Sequence, residues 1–186
     1  PHGMARSDDF ARNRFGELWG LYGSTPGDAG RVAFAKDGLM LKAKGSSPAN
    51  GAVVTQQVGD RAFQIEVEVE LLGVAQGGLL LFFNDRLFLG MGINGERMTT
   101  YRGGKPSHWP EPAPATRKLH MRIVNEQQIV TFFYSVDGNT WTRHGVRSYV
   151  EGYNANTIDD LLSLRPALFA VGEGEVVFRN FRYRAL

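Results

Sequence analysis

Residues 63–70 read FQIEVEVE, and this alternation of apolar and polar side chains decides the fold. Phe63, Ile65, Val67 and Val69 would point to one side of a β-strand, while the glutamine and glutamates between them point to the other. Successive residues on one strand face stand about 7 Å apart and repel only mildly. The acidic row is therefore typical of a solvated outer face rather than of a metal or catalytic cluster.

The same two-residue period recurs in short runs along the chain, separated by turns that contain Asp, Asn or Gly. The further predicted strands are 31–35, 38–43, 52–58, 78–84, 86–92, 96–102, 117–124, 128–135, 164–171 and 174–184. The sequence Gly172-Glu173-Gly174 is interpreted as a turn between the last two. No fixed repeat and no convincing amphipathic helix is visible, so we predict an all-β fold, a two-sheet antiparallel β-sandwich.

Two neighbouring runs are apolar at every position, 79–83 and 87–89. Strands with two apolar faces belong in the centre of a sheet. The main core would cover one face of these strands, and a sheltered groove the other.

Composition excludes several functions. The chain has 21 Lys and Arg against 19 Asp and Glu, and its basic residues are scattered, so no nucleic-acid partner is expected. The absence of cysteine excludes disulfides and thiolate metal sites. No stretch approaches the ~18 apolar residues of a membrane span, and no membrane partner is expected.

The chain is expected to be a single domain over residues 8–186, preceded by residues 1–7 as a cloning remnant and linker. Pro1, His2 and Gly3 before Met4 suggest this, and a native leader or an upstream domain could then have been removed. A secreted location is favoured.

Catalytic motifs are lacking in the sequence. Glycosidases need two carboxylates about 5 to 10 Å apart across a cleft, whereas Asp159 and Asp160 are adjacent and would diverge. The histidines show no ligand spacing, and no nucleophile elbow, phosphate loop or dinucleotide fingerprint occurs. We expect the chain not to be an enzyme.

Four segments resemble the C-terminal domain of glycoside hydrolase family 43 xylosidases and arabinofuranosidases. They are GGLLLFFN at 77–84, KLHMRIVN at 118–125, YSVDGNTW at 134–141, and GYNAN at 152–156 with SLRPALFAVGEGEVVFRNFRYRAL at 163–186. The resemblance implies a concanavalin A-like lectin/glucanase jelly roll and a xylan-binding carbohydrate-binding module of family 91. The family often has histidine where this chain has Ala155, so any contact of that histidine is missing here.

The implied function is recognition of xylan or a related plant cell-wall polysaccharide as an accessory to a glycoside hydrolase. The resemblance also implies a possible partner, a catalytic propeller in the same native chain. The alternative is a domain that packs on such a propeller and completes its active site without sugar affinity of its own.

Sugar binding combines an aromatic face that stacks on the ring with planar polar groups at its edge. The candidate binding residues are Trp109, Tyr101, Asn84, Arg86, Tyr153, Asn154 and Asn156. Binding is expected to centre on the proline-rich loop 103–116 and the adjoining groove, away from the acidic strand face.

Each candidate has a structural alternative. Trp109 could cap the core, Tyr101 could form a cross-strand aromatic pair, and Asn84 and Arg86 could be ordinary turn residues. Trp141, by contrast, is expected to pack in the core beside Tyr134.

No cofactor is required by this interpretation, but sandwiches of this type often hold a structural calcium ion. Asp8, Asp9 and Asp37 are the candidate ligands.

Overall fold

The computed structural model of the chain describes residues 3–35, 37–107, 113–158, 160 and 162–186. These residues form twelve strands and a short 3-10 helix (Pro26–Asp28). The strands are β1 (Gly20–Leu21), β2 (Val32–Ala35), β3 (Gly38–Lys42), β4 (Ala52–Thr55), β5 (Ala62–Asn84), β6 (Leu87–Ile93), β7 (Met98–Arg102), β8 (Lys105–Ser107), β9 (Lys118–Glu126), β10 (Ile129–Ser135), β11 (Thr142–Tyr149) and β12 (Arg165–Ala185). No helix among the described residues is long and apolar enough to cross a membrane.

All strands pair antiparallel, and the two long strands β5 and β12 run through both layers of the fold. We call the layer β2-β3-β12-β5-β9-β10-β11 sheet A, and the layer β1-β4-β12-β5-β6-β7-β8 sheet B. Sheet A uses residues 62–72 of β5 and 174–185 of β12, and sheet B uses the rest of both. The predicted all-β sandwich is confirmed.

The bend between the sheets lies where Gly73 of β5 faces Gly174 of β12. Both have positive φ, at +73° and +113°, a backbone region that costs glycine little and other residues much. The predicted turn at 172–174 is therefore wrong, because β12 bends there and keeps its pairing with β5. Likewise, the predicted strands 63–69 and 78–84 are parts of one continuous strand.

The main core lies between the sheets. Sheet A contributes the apolar positions of its alternating run, including Ile65 and Val69, and sheet B contributes Leu79, Leu81 and Leu168. The prediction that the apolar side chains of residues 63–69 all point to one side, into the core, is confirmed. The loop predicted at 103–116 is shorter than expected, because β8 occupies Lys105–Ser107.

Candidate binding cleft beside the outer face of sheet B

The outer face of sheet B carries a row of aromatic rings, and the apolar runs 79–83 and 87–89 are central strands as predicted. The rings are buried, so the sheltered groove predicted over this face is not open there. Phe82 lies 5.7 Å from Phe88, Phe88 lies 5.8 Å from Tyr101, and Tyr101 lies 5.6 Å from Phe169, all between ring centroids. The ring of Tyr22 packs edge-on against Phe82 at 4.9 Å and ends the row. We call these five residues the aromatic face. Its four strand residues are buried, whereas Tyr22 is half-buried at the margin.

Tyr101 lies inside this layer rather than in an open groove. It is 4% exposed, its hydroxyl accepts a hydrogen bond from the Nε2 of Gln76, and burial raises its pKa. The structure thus buries this predicted groove residue within the aromatic face, where its ring packs against Phe88 and Phe169.

Asn84 and Arg86 belong to the tight turn between β5 and β6. The Oδ1 of Asn84 accepts hydrogen bonds from the backbone N–H groups of Arg86 and Leu87, both at 3.0 Å. Its Nδ2 donates to the carboxylate of Asp160 at 3.0 Å, while the side chain of Arg86 is exposed. The Asn84 amide therefore holds the turn and ties it to the segment that leads into β12.

Tyr153 joins the same end of sheet B. Its hydroxyl accepts a 2.7 Å hydrogen bond from the backbone N–H of Gly103, in the turn after β7, and burial raises its pKa. Asn154 and Asn156 follow on the surface, where the Oδ1 of Asn154 accepts the Asn156 N–H at 3.0 Å. The structure thus brings Tyr153 to the β7–β8 turn and leaves both asparagines exposed in a turn of their own.

Trp109, the aromatic residue expected to dominate binding, lies outside the described residues. Its role stays a prediction.

A polar arrangement that the sequence did not single out lies beside Tyr22. The guanidinium of Arg165 is centred 5.6 Å from the Tyr22 ring. Arg165 is 8% exposed and donates from Nη2 to the carbonyl of Phe83 at 3.0 Å, whereas its buried Nε finds no hydrogen-bond partner among the described residues. A buried, unsatisfied donor is costly and is compensated when a ligand accepts from it.

Tyr22 and Arg165 both remain protonated in their surroundings. Burial, followed by the negative charge of Asp85, raises the pKa of Tyr22, so its hydroxyl stays protonated at neutral pH. Burial lowers the pKa of Arg165, partly offset by the tyrosine and by Asp160. Arginine nonetheless stays charged at neutral pH.

Tyr22 and Arg165 line an open cleft of about 560 Å³, which we call the Tyr22–Arg165 cleft. Gln57, Thr55 and Trp19 also line it. The exposed Gln57 follows the buried Gln56, so only one of these neighbouring amides faces the cleft, as alternation requires. The cleft thus brings together an aromatic ring, a guanidinium, an amide and a hydroxyl, which are the groups that bind sugars.

Sequence reasoning missed Tyr22 because it lies in the turn that follows the two-residue strand β1, where no alternating pattern is present. The available signal was an aromatic residue in the glycine-rich segment Gly20-Leu21-Tyr22-Gly23, which is typical of a turn. Arg165 lay within the quoted Ser-Leu-Arg-Pro segment, yet nothing in its spacing predicted burial.

The candidate calcium ligands serve other purposes in the structure or lie on the surface. The buried Asp8 accepts from the backbone N–H of Phe10 and from the indole N–H of Trp19, both at 2.9 Å. Asp9 and Asp37 are exposed. Within the described ranges no group of three or more His, Asp or Glu side chains could hold a metal ion. Calcium binding stays an expectation.

Trp141 is not in the core, contrary to prediction. Its ring lies half-buried on the outer face of sheet A, with the Arg122 guanidinium 3.7 Å from its centroid. Thr142 pairs with the core residue Tyr134, so the residue before it is free to turn outward and cover the arginine.

Solved structures with the same fold come from larger proteins. The family 43 glycoside hydrolase BlXynB of Bacillus licheniformis matches 98% of this chain with a TM-score of 0.81 and 16% identity, and 39% of that chain is covered. Xylan beta-1,4-xylosidase of Bacillus halodurans C-125 matches 97% with a TM-score of 0.75 and 12% identity, again over 39% of that chain. A "bifunctional GH43-CE" protein of Bacteroides eggerthii matches 97% with a TM-score of 0.76 and 20% identity, over 27% of its length.

No family model matches the sequence, and no curated protein matches it. The solved structures therefore show the fold: the chain has the architecture of part of the family 43 enzymes, and the resemblance found in the sequence is confirmed at that level. The chain spans about 39% of the length of the first of these relatives.

Proposed function

We propose that this chain is a non-catalytic accessory domain of a glycoside hydrolase and that it binds xylan or a related cell-wall polysaccharide in the Tyr22–Arg165 cleft. The observation that carries the proposal is the pairing of the half-buried Tyr22 ring with a buried arginine whose Nε lacks a partner among the described residues. The ring offers a face on which a sugar can stack, and the guanidinium beside it is a charged hydrogen-bond donor for sugar hydroxyl groups.

The comparisons support an accessory role. Each of the three solved relatives is more than twice as long as its matched part, and one of them bears the name xylan beta-1,4-xylosidase. A domain with this fold thus forms part of longer family 43 proteins, one of which is named for its action on xylan. A site with one aromatic platform and few polar contacts is consistent with a Kd between about 1 μM and 1 mM.

Calorimetry on the isolated chain tests this function. Xylan, arabinoxylan, cellulose and mannan are titrated separately, and we expect binding to xylan or arabinoxylan. In the Tyr22→Ala variant the affinity should fall about tenfold or more, because the stacking surface is lost.

The matched control is Trp141→Ala, which removes an aromatic side chain from the opposite face of the sandwich and should leave the affinity unchanged. Absence of heat with all four polysaccharides would reject the function. Equal binding by Tyr22→Ala and the parent would reject the cleft. Trp109→Ala in the same series tests the remaining aromatic candidate.

A second candidate function is docking on a catalytic domain without independent sugar affinity. It is favoured by an exposed apolar pair at the bend of the sandwich, where Val74 is 84% exposed and Leu72 is 38% exposed. In that case the chain binds no polysaccharide, and Val74→Asp weakens its association with a separately expressed family 43 catalytic domain in ultracentrifugation.

A further inference from the structure

A second cleft, of about 980 Å³, lies at an end of the sandwich where the segment before β5, the β9–β10 turn and the C-terminus meet. Asp60, Arg61, Asn125, Gln127 and Gln128 are its polar lining residues, and none of them lines the Tyr22–Arg165 cleft. We call it the end cleft. Three of its five polar side chains are primary amides.

The side-chain amide of Asn125 is buried, and one of its hydrogen-bonding atoms has no partner among the described residues. It is 7% exposed, its Nδ2 donates to the carbonyl of Arg61 at the long distance of 3.5 Å, and its Oδ1 has no hydrogen-bond partner among the described residues. Buried side-chain amides in native proteins are normally paired. An unpaired one that lines a cleft points to a ligand that supplies the missing bond.

The β9–β10 turn carries a second, independent sign. Glu126 pairs with Ile129, so Gln127 and Gln128 form a two-residue hairpin loop, and their φ angles are +49° and +84°. Such loops favour Asn-Gly, because these residues tolerate the left-handed region and longer side chains do not. Glutamine is thus not a residue that this turn geometry favours, and strained backbone conformations are enriched at functional sites.

The chemistry of the end cleft fits a neutral sugar. Its two charged residues, Asp60 and Arg61, have opposite signs. The carboxylate of Asp60 accepts hydrogen bonds from the hydroxyl of Tyr183 at 2.6 Å and from the backbone N–H of Met4 at 3.1 Å. Each primary amide both donates and accepts, which matches hydroxyl groups that do the same.

We propose that the end cleft is a second carbohydrate site, in which the amides of Asn125, Gln127 and Gln128 bind the hydroxyl groups of a neutral oligosaccharide. The ligand class rests on the proposed function, but the site does not depend on the Tyr22–Arg165 cleft. Two separate sites on one domain would let it hold a polysaccharide at two points, which raises its retention on an insoluble surface.

The test exchanges the strained turn for the unstrained one in the double variant Gln127→Asn/Gln128→Gly. We expect its Tm to rise by several degrees, since turn strain is relieved. Its binding of oligosaccharide at the end cleft should be lost. Gain of stability with loss of binding is an outcome that a merely structural turn would not produce.

Binding is measured in the Tyr22→Ala background, so that failure of the first site and failure of the second give different results. Side-chain amide signals of Asn125, Gln127 and Gln128 are followed by NMR during titration with xylohexaose, cellohexaose and mannohexaose. We expect these signals to shift with at least one sugar, and the Asn125 shift to disappear in the turn variant. Gln64→Ala, which removes an amide from the outer face of sheet A, is the matched control and should retain the shifts.

Unchanged amide signals with all three sugars would overturn the proposal, as would a turn variant in which the Asn125 shift persists. Neither result bears on Tyr22. Conversely, end-cleft signals that shift in the Tyr22→Ala protein support this site and leave the Tyr22–Arg165 cleft to its own test, the comparison of Tyr22→Ala with the parent.

Discussion

The outer faces of the two sheets differ although both are built from the same long strands, β5 and β12. On sheet A the glutamates of β5 meet basic residues of neighbouring strands: Arg122 Nε lies 2.7 Å from Glu66, and Arg179 Nη1 lies 3.2 Å from Glu68. On sheet B the corresponding positions carry the aromatic face. The outer face of sheet A is partly exposed and its glutamates are paired with basic residues. The outer face of sheet B is buried and apolar, and the Nε of Arg165 lies without a partner among the described residues at its margin.

The two faces differ in how much free energy a ligand could gain by binding to them. A sugar that approached the outer face of sheet A would compete with ion pairs that already satisfy the charged groups. Beside sheet B, by contrast, the Nε of Arg165 lacks a partner among the described residues, and the Tyr22 ring is only half-buried.

Truncating an aromatic side chain on each face should give the largest contrast in stability. Phe169→Ala removes a fully buried ring from the aromatic face and should lower the free energy of unfolding by about 3–5 kcal/mol. Phe133→Ala, on the partly exposed face of sheet A, should cost less than about 1 kcal/mol. Urea unfolding measures both, and similar losses would show that the two faces are not packed differently.

Replacing one arginine on each face should weaken sugar binding on the sheet B side only. Arg165→Met removes the free donor of the Tyr22–Arg165 cleft, and we expect the affinity for xylohexaose to fall about tenfold, equivalent to about 1.4 kcal/mol. Arg184→Met changes the same residue type at an exposed position of β12 in sheet A and should have no effect on affinity. Equal affinities of the two variants in calorimetry would remove Arg165 from the site.

Much of the sandwich could be predicted from the sequence because alternation and turn residues are local signals. The solvated face of β5 and the two-sided apolarity of sheet B were both visible in the order of residues. The continuity of β5 and β12 was not, because Gly73 and Gly174 stay paired across a bend that looks like a turn in sequence.

The candidate site was less predictable because it depends on distant contacts. Tyr22 and Arg165 are 143 positions apart and meet only after β1, β4 and β12 have paired. Trp141 was misplaced for a similar reason, since its partner Arg122 comes from another strand and holds the ring outward. Asn84 was correctly located at a turn, but the Asp160 contact that occupies its amide could not be foreseen.

The cation–π contact between Arg122 and Trp141 on sheet A should contribute moderately to the stability of the fold. Trp141→Ala removes the ring over Arg122 and should lower the free energy of unfolding by about 1–2 kcal/mol. Thermal unfolding in low and high salt checks this, because the exposed arginine left behind becomes more sensitive to screening. A Tm equal to that of the parent would show that the contact adds nothing.

The smallest expected effect is acid sensitivity of sheet A through Glu68. Burial alone would raise the pKa of this carboxyl, but the hydrogen bond and charge of Lys118, the charge of His120 and the hydrogen bond from Arg179 hold it below its ordinary value of 4.5. A depressed pKa in the folded protein stabilises the fold above the unfolded value, and this contribution disappears as the pH falls through the folded pKa.

Glu68→Gln should therefore lose less stability than the parent between pH 6 and pH 3, as followed by thermal unfolding. Identical pH profiles of the two proteins would indicate that the glutamate is not stabilised by its neighbours. The aromatic face of sheet B carries no carboxylate, so Phe169→Ala should leave the shape of this profile unchanged.

The most direct test of the account maps sugar contacts on the uniformly labelled parent chain by NMR, with xylohexaose added to about 10 mM, well above the expected Kd. The account predicts shifts of the Tyr22 and Gln57 backbone signals and of the Arg165 Nε–H signal, with the Glu66 and Arg122 signals unmoved. Shifts confined to the outer face of sheet A, or no shift at the Tyr22–Arg165 cleft, would contradict it.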